Sequence, residues 1–428
     1  MKYAADNNRS GKRGYSKTKP KHLRTGNTGV SKSVYDDSVA VASKNASAGN
    51  QNKLRFIPMF VFLAFIFGLG GWFVLNPKLE YSSSEKRYLQ KFPKVTAENV
   101  LDGKFSSDFE KYFADHFPQR KLWVGTNSYY NLSLGNNGAD GIYFCDKGYL
   151  VNEPVTDSKL ITSNIGVIAD FSQNVEAPVT AMFVPSAGYI MDDILPAVHN
   201  SYRDDEWFAE SGKTFADSNI NFVDLRESFK NEYKNGTQLY YKTDHHWTTE
   251  GAYLGYTELC KSLGTEPVKR EAFDIETYED FYGTTYSTGG FWLNEADNIE
   301  VWNNKANTAE NISVEIVEGM QSETHNSMFF YEHIEEDDKY PVFIDGNHAF
   351  TRIKNTKAQG GKILVVKDSF SHCIAPFLAE SYSEVVLVDM RYYKESVSQL
   401  AQSENFVQIL VLYGAENLAK DADIKWLE

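Results

Sequence analysis

The stretch "GKILVVKDSFSH", residues 361–372, is an apolar run that ends in a tight turn and the start of a helix. Two similar runs follow, "SEVVLVDMR" at 383–391 and "FVQILVLYG" at 406–414, with helices predicted between the runs at about 372–381 and 394–403. Continuous Val, Ile and Leu runs that alternate with helices predict βαβ units and a parallel sheet covered on both faces. We therefore expect a three-layer α/β fold, in which working side chains lie just past the carboxyl ends of the strands.

The same pattern reaches back along the chain. Apolar runs at 177–186 and 219–225 predict two further strands, which extends the α/β domain over about 141–428. Residues 265–350 are acidic and rich in Asn, and we expect them to form an irregular insertion that shapes one wall of a site. The segment 76–140 carries aromatic residues at helical spacing and is predicted to be a helical lead-in.

The distribution of charge divides the chain into two unlike parts. The 428-residue chain has a net charge of −15, yet residues 1–55 alone carry twelve Lys or Arg and three Asp. Between this basic segment and the acidic remainder lie twenty uncharged, mostly apolar residues, 56–75, which is about the length that a helix needs to span a bilayer. The positive-inside rule then predicts a cytoplasmic N-terminus and an extracellular C-terminal domain.

A cleaved signal peptide is the alternative interpretation of the apolar stretch 56–75. That stretch is long for a signal peptide, begins far from the N-terminus and is not followed by a small-residue cleavage site. We therefore predict an uncleaved, single-pass transmembrane helix in the cell membrane. Residues 1–55 have too few large apolar side chains to fold and are predicted to be a disordered basic tail. Such a tail can contact anionic lipid or nucleic acid, but our default is a solvated tail that sets topology, and we expect no nucleic-acid partner.

The stretch "YKTDHHWTTEGAY", residues 241–253, concentrates side chains that titrate near neutral pH. Thr248 is suited to cap a following helix, so the Asp-His-His-Trp segment is predicted to lie in the loop before that helix. In an extended loop, residues two apart point the same way. Asp244 can therefore orient the imidazole of His246, while His245 points elsewhere.

Ser369 is the best nucleophile for such a pair. The strand, turn and helix start of residues 361–372 present a Ser hydroxyl at a sheet edge, and the backbone N–H at the helix start can stabilise an oxyanion. Ser369 would attack, His246 would take its proton, and Asp244 would fix the imidazole tautomer. Three alternatives stay open: Ser369 is only a helix N-cap, Asp244 and His246 form a structural pair, or Ser371 replaces Ser369.

Metal binding is the competing chemistry for the same segment. The potential ligands are Asp244, His245, His246, His348 and His372. Adjacent His residues do not easily face one point, and neither HxH nor HExxH spacing occurs in the sequence. We predict no metal site and no cofactor.

The three cysteines, Cys145, Cys260 and Cys373, all follow the apolar stretch and include no CxxC pair. One disulfide at most can form, so at least one thiol is expected to be free and buried. Cys373 is predicted to lie on a helix rather than at a turn, which disfavours it as a nucleophile.

The stretches "KTDHHWTTEGA", "ILVVKDSFSH" and "VVLVDMRYY" together resemble the DHHW protein family of bacterial cell-surface proteins. More distantly, residues 80–420 are similar to the SGNH-hydrolase-like domains of alginate O-acetylation proteins. The resemblance implies an SGNH-hydrolase-like α/β domain. It also implies that the Asp-x-His of those proteins falls on Asp244 and His246, and their nucleophilic Ser on Ser369.

Oxyanion and substrate groups in SGNH-type folds come from loops after the next strands. The candidates that the resemblance implies there, together with the residues that flank the predicted triad, are Arg391, Tyr413, Gly414, Asn347, His245, Trp247 and Asp368. This chain carries "DMRYY" where a Gly is usual and "YGAEN" where a Gly-x-Asn is usual. The resemblance therefore leaves the second oxyanion donor unassigned.

Two classes of function follow from these residues. The first is O-acyl transfer or ester hydrolysis on a cell-surface polysaccharide through an acyl-Ser369 intermediate, for which the resemblance implies a multi-span membrane acyl exporter as partner. In that case Arg391 would hold an anionic group of the polymer or be an ion-paired surface residue. The second is a non-catalytic SGNH-like module that binds or scaffolds cell-envelope polysaccharide. The catalytic class requires His246 within hydrogen-bond reach of both Ser369 and Asp244.

Overall fold

The computed structural model describes residues 55–82, 87–156, 159–336 and 338–427. Within these ranges the α-helices are α1 (Ile57–Leu75), α2 (Ala97–Leu101), α3 (Lys104–Asp115), α4 (Arg120–Ser133), α5 (Lys159–Gln173), α6 (Ala187–Ile190), α7 (Asp204–Asp217), α8 (Arg226–Lys234), α9 (Thr249–Ser262), α10 (Thr284–Gly289), α11 (Ser371–Ser381), α12 (Val397–Ser403) and α13 (Ala415–Leu418). The strands are β1 (Tyr81–Ser82), β2 (Arg87–Tyr88), β3 (Gly138–Ala139), β4 (Ile142–Phe144), β5 (Leu150–Asn152), β6 (Val179–Val184), β7 (Asn221–Asp224), β8 (Phe273–Phe281), β9 (Asp297–Asn304), β10 (Ile312–Glu318), β11 (Gln321–His325), β12 (Phe350–Asn355), β13 (Gly360–Lys367), β14 (Tyr382–Asp389) and β15 (Phe406–Gly414).

The helix α1 is the apolar segment near the N-terminus. It has 19 residues, carries no charged side chain and buries none of its residues. By length and composition, it is the one helix among the described residues that can cross a membrane. The predicted basic tail, residues 1–55, lies outside the described residues except for Arg55. The domain boundaries drawn at 55, 75 and 140 stay predictions.

A large eight-stranded sheet has the order β11–β10–β12–β14–β13–β15–β6–β7. The strands β14, β13, β15, β6 and β7 are parallel to one another, and they are the five apolar runs predicted from the sequence. Three more strands extend the sheet beyond β14: β12 pairs antiparallel with β14, β10 with β12, and β11 with β10. The chain is therefore a mixed α/β protein with a large sheet, but that sheet is not wholly parallel.

The segment 265–350, expected to be irregular, holds four regular strands. The strands β8 and β9 pair with each other, and β10 and β11 widen the large sheet. In β10 the buried side chains of Ile312, Val314 and Ile316 alternate with more exposed ones. The expectation was wrong because short alternating strands separated by Asn-rich turns give a weaker signal than the continuous apolar runs of buried parallel strands.

Both faces of the large sheet are buried at its central strands. Along β15, Leu410 and Leu412 belong to one apolar cluster, whereas Ile409 and Val411 belong to another. The strands β13, β14 and β15 are parallel neighbours, so their carboxyl ends lie at one edge of the sheet. Ser369 follows β13 at this edge, and the site is built around it.

Candidate active site

The Asp-His-His segment is the tip of a tight loop that precedes α9. An isolated antiparallel bridge joins Tyr240 to Trp247, and the Tyr241 N–H donates to the His246 carbonyl over 3.2 Å. The Thr248 hydroxyl accepts from the Gly251 N–H over 3.2 Å, so Thr248 caps α9 as predicted. The base of the loop is thus fixed, and its tip is held against the edge of the sheet.

Asp244, His246 and Ser369 form one continuous chain of hydrogen bonds. The Asp244 carboxylate is fully buried, and its Oδ1 lies 2.5 Å from His246 Nδ1 and accepts from the His246 backbone N–H over 2.9 Å. His246 Nε2 lies 2.7 Å from Ser369 Oγ. With Nδ1–H donating to Asp244, Nε2 is left to accept the Ser369 hydroxyl proton. The structure brings together the three residues predicted as a triad, while their catalytic role stays a prediction.

The second oxygen of Asp244 is held by Thr284, at the start of α10. Asp244 Oδ2 accepts from the Thr284 N–H over 2.6 Å and from the Thr284 hydroxyl over 3.0 Å. Gly283 makes this approach possible, since a Cβ there would lie 2.1 Å from Asp244 Cβ. Sequence reasoning missed Thr284, although "YGTT" pairs a small residue with a hydroxyl donor.

His245 lies beside the triad rather than within it. Its Nδ1 lies 2.5 Å from the Thr284 hydroxyl and 3.6 Å from Asp244 Oδ1. Its ring centroid is 3.9 Å from that of His246, and about a quarter of the side chain is exposed. The imidazole that reaches Ser369 is that of His246.

The three adjacent residues Asp244, His245 and His246 also satisfy a geometric condition for metal binding, since one ligand atom from each lies within 4.8 Å of the others. However, both nitrogens of His246 already have partners in Asp244 and Ser369. The other potential ligands lie in separate networks: His348 contacts Glu318 and Asp345, and His372 contacts Lys367. The donor set therefore fits a hydrogen-bonded relay better than a metal centre.

Two residues that the sequence did not single out, Tyr340 and Phe370, enclose His246. The Tyr340 ring stacks on the imidazole with centroids 4.0 Å apart and planes 10° apart, and its hydroxyl donates to the Ser369 carbonyl over 3.3 Å. Phe370 meets the imidazole at 5.0 Å and 61°. These contacts fix the ring plane that a relay needs. Tyr340 sits in an acidic stretch whose pattern gave no signal of this role.

Trp247 is a structural residue and not a substrate contact. Its side chain is fully buried, and its Nε1–H donates to the Phe370 carbonyl over 3.0 Å. Trp247 therefore ties the loop before α9 to the turn that carries Ser369. Its inclusion among the oxyanion or substrate candidates is corrected by its burial.

Asp368 organises the turn beneath Ser369. Its Oδ1 accepts from the Phe370 N–H over 2.9 Å, and its Oδ2 accepts from the Gly414 N–H and from Asn417 Nδ2, each over 2.8 Å. Burial raises the pKa of Asp368, and these donors oppose the shift. The Gly414 N–H, a predicted oxyanion candidate, is thus occupied by a carboxylate. Asn417, in the "YGAEN" that departs from the family pattern, was missed.

One opening is lined by Ser369, His372 and Tyr413, each of which carries a polar hydrogen without a hydrogen-bond partner in the part of the chain that the structure describes. Among the described residues, the Ser369 backbone N–H has no acceptor, and the buried Tyr413 hydroxyl and His372 Nδ1 have no partner. His372 Nε2 lies 2.8 Å from the Lys367 ammonium, which places the imidazole proton on Nδ1. Burial and the Lys367 charge hold the pKa of His372 well below its usual range, so this ring is neutral.

Arg391 closes a buried charge network at the end of β14. Asp389 accepts from Lys367 over 3.1 Å and from the Arg391 guanidinium over 2.6 and 2.8 Å. Arg391 also donates to Asn347 over 2.8 Å. Burial raises the pKa of Asp389, but the two cations outweigh it and leave that pKa lowered. This hydrogen bond holds Arg391 and Asn347 together, and both residues line the open groove beside Ser369.

We call this opening the triad groove. It has a volume of about 690 Å³ and is lined by residues that include His245, His246, Thr284, Ser369, Arg391, Asn347 and Tyr413. On one rim, Asp345 accepts from His333 Nε2 over 2.6 Å and from His348 Nε2 over 3.1 Å. The groove is large enough for a small ligand and places it against the Ser369 hydroxyl.

The three cysteines are buried and unpaired. Burial raises the pKa of the Cys373 thiol to about 12, which keeps it protonated at neutral pH. Cys373 lies on α11 and contacts the Thr249 hydroxyl rather than the triad groove. A protonated thiol outside the groove is poorly placed for nucleophilic attack.

Comparisons with known proteins match this architecture. Residues 155–388 match the family model described as "DHHW protein". Over 195 residues the chain is 25% identical to a probable alginate O-acetylase AlgJ of Azotobacter vinelandii, an alignment that covers 42% of this chain and 50% of that protein. The chain thus spans about half the length of this curated relative.

Two solved structures share the fold. A DHHW family protein from Eubacterium siraeum superposes with a TM-score of 0.56 at 18% identity, covering 67% of this chain and 95% of that one. Bacillus cereus PatB1 superposes with a TM-score of 0.54 at 22% identity, covering 67% of this chain and 99% of that one. At such identities the likeness shows a shared fold.

Proposed function

The chain belongs to the DHHW protein family, as its sequence motifs suggested, and from that premise we propose that it is a membrane-anchored O-acyltransferase or esterase that acts on a cell-surface glycan through an acyl-Ser369 intermediate. The observation that carries the proposal is the placement of His246 between Ser369, at 2.7 Å, and Asp244, at 2.5 Å. A nucleophile, a base and an orienting carboxylate in this order form the constellation used for acyl transfer.

The proposed reaction has two steps. In the first, Ser369 Oγ attacks the acyl carbonyl carbon, and the proton of the Ser369 hydroxyl passes to His246 Nε2. The bond between the acyl carbon and the donor's leaving group then breaks as His246 returns the proton to that leaving group. In the second, an acceptor hydroxyl attacks the acyl-Ser369 carbon, and His246 moves its proton to the departing Ser369 Oγ. Asp244 stays ionised and stabilises the imidazolium in both steps. The Ser369 N–H faces the developing oxyanion.

The choice of a glycan as acceptor rests on two supports. The curated relative is a probable alginate O-acetylase, which supports a role related to polysaccharide O-acetylation for this chain. The triad groove is open, and its lining by Arg391, Asn347 and Lys420 offers hydrogen-bond donors suited to hydroxyl and carboxylate groups. Water as acceptor would make the same site an esterase.

The membrane forms part of the proposal. Helix α1 would anchor the chain, with the basic N-terminal residues in the cytoplasm and the site outside. An acyl group delivered across the membrane by a multi-span exporter would then reach Ser369 without release into the medium.

A non-catalytic module that binds cell-envelope polysaccharide is the second candidate function. One observation favours it: the Gly414 N–H and Asn417 side chain, which lie beside Ser369, donate to Asp368 instead of facing the groove. Because the Gly414 N–H and the Asn417 amide are already used, they cannot help the Ser369 N–H to stabilise an oxyanion. Binding would then survive while turnover is slow or absent.

The test uses the full chain in lipid nanodiscs with p-nitrophenyl acetate. We expect release of p-nitrophenol and a mass increase of one acetyl group on the peptide that contains Ser369. Both should disappear in Ser369→Ala and persist in the matched control Ser371→Ala, which alters the same turn. Equal rates in wild type and Ser369→Ala, without an acetylated peptide, would favour the binding module.

A further inference from the structure

A second groove lies at the other end of α10 from the triad. We call it the aromatic groove; it is lined by Trp123, Trp292 and Tyr286, with Arg120, Lys121 and Asn127 among its polar side chains. Its volume of about 670 Å³ lies within the range of roughly 300–1,000 Å³ that is typical of ligand sites. None of these residues belongs to the hydrogen-bond chain that ends at Ser369.

Helix α10 connects the two grooves. Thr284, at its first position, holds Asp244 and lines the triad groove, whereas Tyr286, Ser287 and Thr288 line the aromatic groove. The Tyr286 N–H also donates to the Thr243 carbonyl over 3.0 Å, in the loop that carries Asp244. A six-residue helix is about 9 Å long, so a chain-like ligand of a few sugar units is long enough to reach from one groove to the other.

The wall of the aromatic groove is rigid. The Trp292 ring fills the space beside Gly125 on α4, where a Cβ would lie 1.9 Å from the ring. Tyr129 packs against Trp292 with centroids 5.4 Å apart, and its hydroxyl accepts from the Leu293 N–H over 3.0 Å. Helix α4 and the segment after α10 are thus locked together. Pre-organised rings reduce the entropic cost of binding.

The chemistry of the lining identifies the ligand. We propose that the aromatic groove binds the glycan chain a few sugar units from the hydroxyl that is modified, and this inference rests on the proposed function. The face of a pyranose ring presents C–H groups that pack on flat aromatic rings, while its hydroxyls need donors and acceptors at the edge. Trp123, with 42% of its surface exposed, offers such a ring. Asn127 and Ser287 offer the edge groups. The charged lining consists of two cations, Arg120 and Lys121, and one carboxylate, Asp140, and this balance favours an acidic sugar.

The location of the groove explains why a family comparison does not reveal it. Helix α4, which contributes Trp123, precedes the residues 155–388 that match the family model. Trp292, by contrast, lies within them. One wall of the groove thus comes from the part matched by the family model and the other from the lead-in segment, so the lead-in segment can adjust which polymer this chain selects.

The experiment measures binding by isothermal titration calorimetry on the full chain in lipid nanodiscs, which avoids detergents with sugar headgroups. The probes are chitohexaose, a neutral hexasaccharide, and a mannuronate hexamer, an acidic one. We expect at least one hexamer to bind wild type, about tenfold weaker binding in Trp123→Ala, and partial recovery in Trp123→Tyr. Trp426→Ala is the matched control, because Trp426 is 61% exposed and does not line the groove.

The outcomes separate this inference from the proposed function. Binding of a hexamer that Ser369→Ala retains and Trp123→Ala weakens supports the groove even if wild type releases no p-nitrophenol. Absence of binding by both hexamers, or equal weakening by Trp123→Ala and Trp426→Ala, overturns it even if acyl transfer is found. Brominated lipid in the nanodisc that quenches tryptophan fluorescence more in wild type than in Trp123→Ala, without hexamer binding, would instead make this face a membrane contact and also overturn it.

Discussion

His246 Nε2 and Ser369 Oγ lie 2.7 Å apart although the two residues are 123 positions apart along the chain. The contact joins the loop before α9 to the turn after β13, and Trp247 reinforces it through its hydrogen bond to the Phe370 carbonyl. Since the neighbouring His245 contacts Thr284 instead, the two adjacent imidazoles have separable roles.

The first prediction concerns these two histidines. His246→Ala should lower kcat for p-nitrophenyl acetate by at least about 100-fold, because it removes the base that accepts the Ser369 proton. His245→Ala should cause a milder loss, since its ring only supports the Asp244 side of the site. Steady-state kinetics on both variants, with thermal unfolding as a check of folding, measure the difference. A larger loss in His245→Ala would show that the wrong imidazole has been assigned.

The second prediction concerns the carboxylate behind His246. Asp244→Asn should lower kcat by about 10²- to 10⁴-fold, because an amide neither favours the Nδ1–H tautomer nor stabilises the imidazolium. Thr284→Val removes one of the two donors to Asp244 Oδ2 and keeps the backbone N–H, so a loss of roughly tenfold is expected.

In both variants KM should change little, since neither side chain is expected to hold the acyl donor. The control is Thr285→Val, a change to the next residue of α10. If Asp244→Asn keeps full activity while its fold is intact, Asp244 has only a structural role.

Local patterns in the sequence predicted much of this architecture. Continuous apolar runs give the five parallel strands, because strands buried on both faces need apolar side chains at successive positions. Thr248 was identified as a cap because a hydroxyl before a helix satisfies an orphan N–H. Asp244 and His246 were paired because their spacing places them on one side of the loop. Each of these inferences uses residues close together in the chain.

The remaining site residues become neighbours only through tertiary contacts. Tyr340 stacks on His246 and Thr284 holds Asp244, yet each comes from the segment 265–350 whose alternation is weak. Nothing local distinguishes their Tyr and Thr side chains from surface residues. The role of Asn417 depends on Asp368, 49 residues earlier, which also occupies the Gly414 N–H. Such exchanges of hydrogen-bond partner are set by the fold, so the sequence could name Gly414 but could not show that its N–H is engaged.

The third prediction concerns the buried ion pair beneath the site. Lys367 and Asp389 side chains are each 1% exposed, and burial lowers the pKa of Lys367. Asp389→Asn leaves the Lys367 ammonium buried without a carboxylate and should lower the free energy of unfolding by about 3–5 kcal/mol. Urea unfolding followed by far-ultraviolet circular dichroism measures this loss.

The double variant Lys367→Met/Asp389→Asn is the control for the third prediction. It removes the buried cation together with its partner, so it should be more stable than Asp389→Asn alone. Arg391, with 37% of its side chain exposed, can then be solvated. Equal stability of the single and double variants would mean that the charge of Lys367 is not what destabilises Asp389→Asn.

The fourth prediction concerns pH and the rim of the triad groove. A hydrogen bond to Asp345 raises the pKa of His333 to about 9, with a further contribution from Glu336. In the unfolded chain a histidine has a pKa of about 6.5. The stabilisation from His333 is therefore complete below about pH 6.5 and declines as the pH rises through about 9. Wild type should exceed His333→Gln in Tm at pH 6, and this advantage should shrink towards pH 9.5.

Asp345→Asn supplies the control for this pH dependence. Burial raises the pKa of Asp345, but the hydrogen bonds from His333 and His348 outweigh it and leave that pKa lowered, so the carboxylate is ionised across this pH range. In the Asp345→Asn background the further change His333→Gln should alter Tm much less at pH 6, because the charged partner has gone. Thermal unfolding of wild type, the two single variants and the double variant at pH 6, 7.5 and 9.5 completes this double-mutant cycle. A Tm advantage of wild type over His333→Gln that stays constant or grows with pH would show that His333 gains no proton affinity on folding.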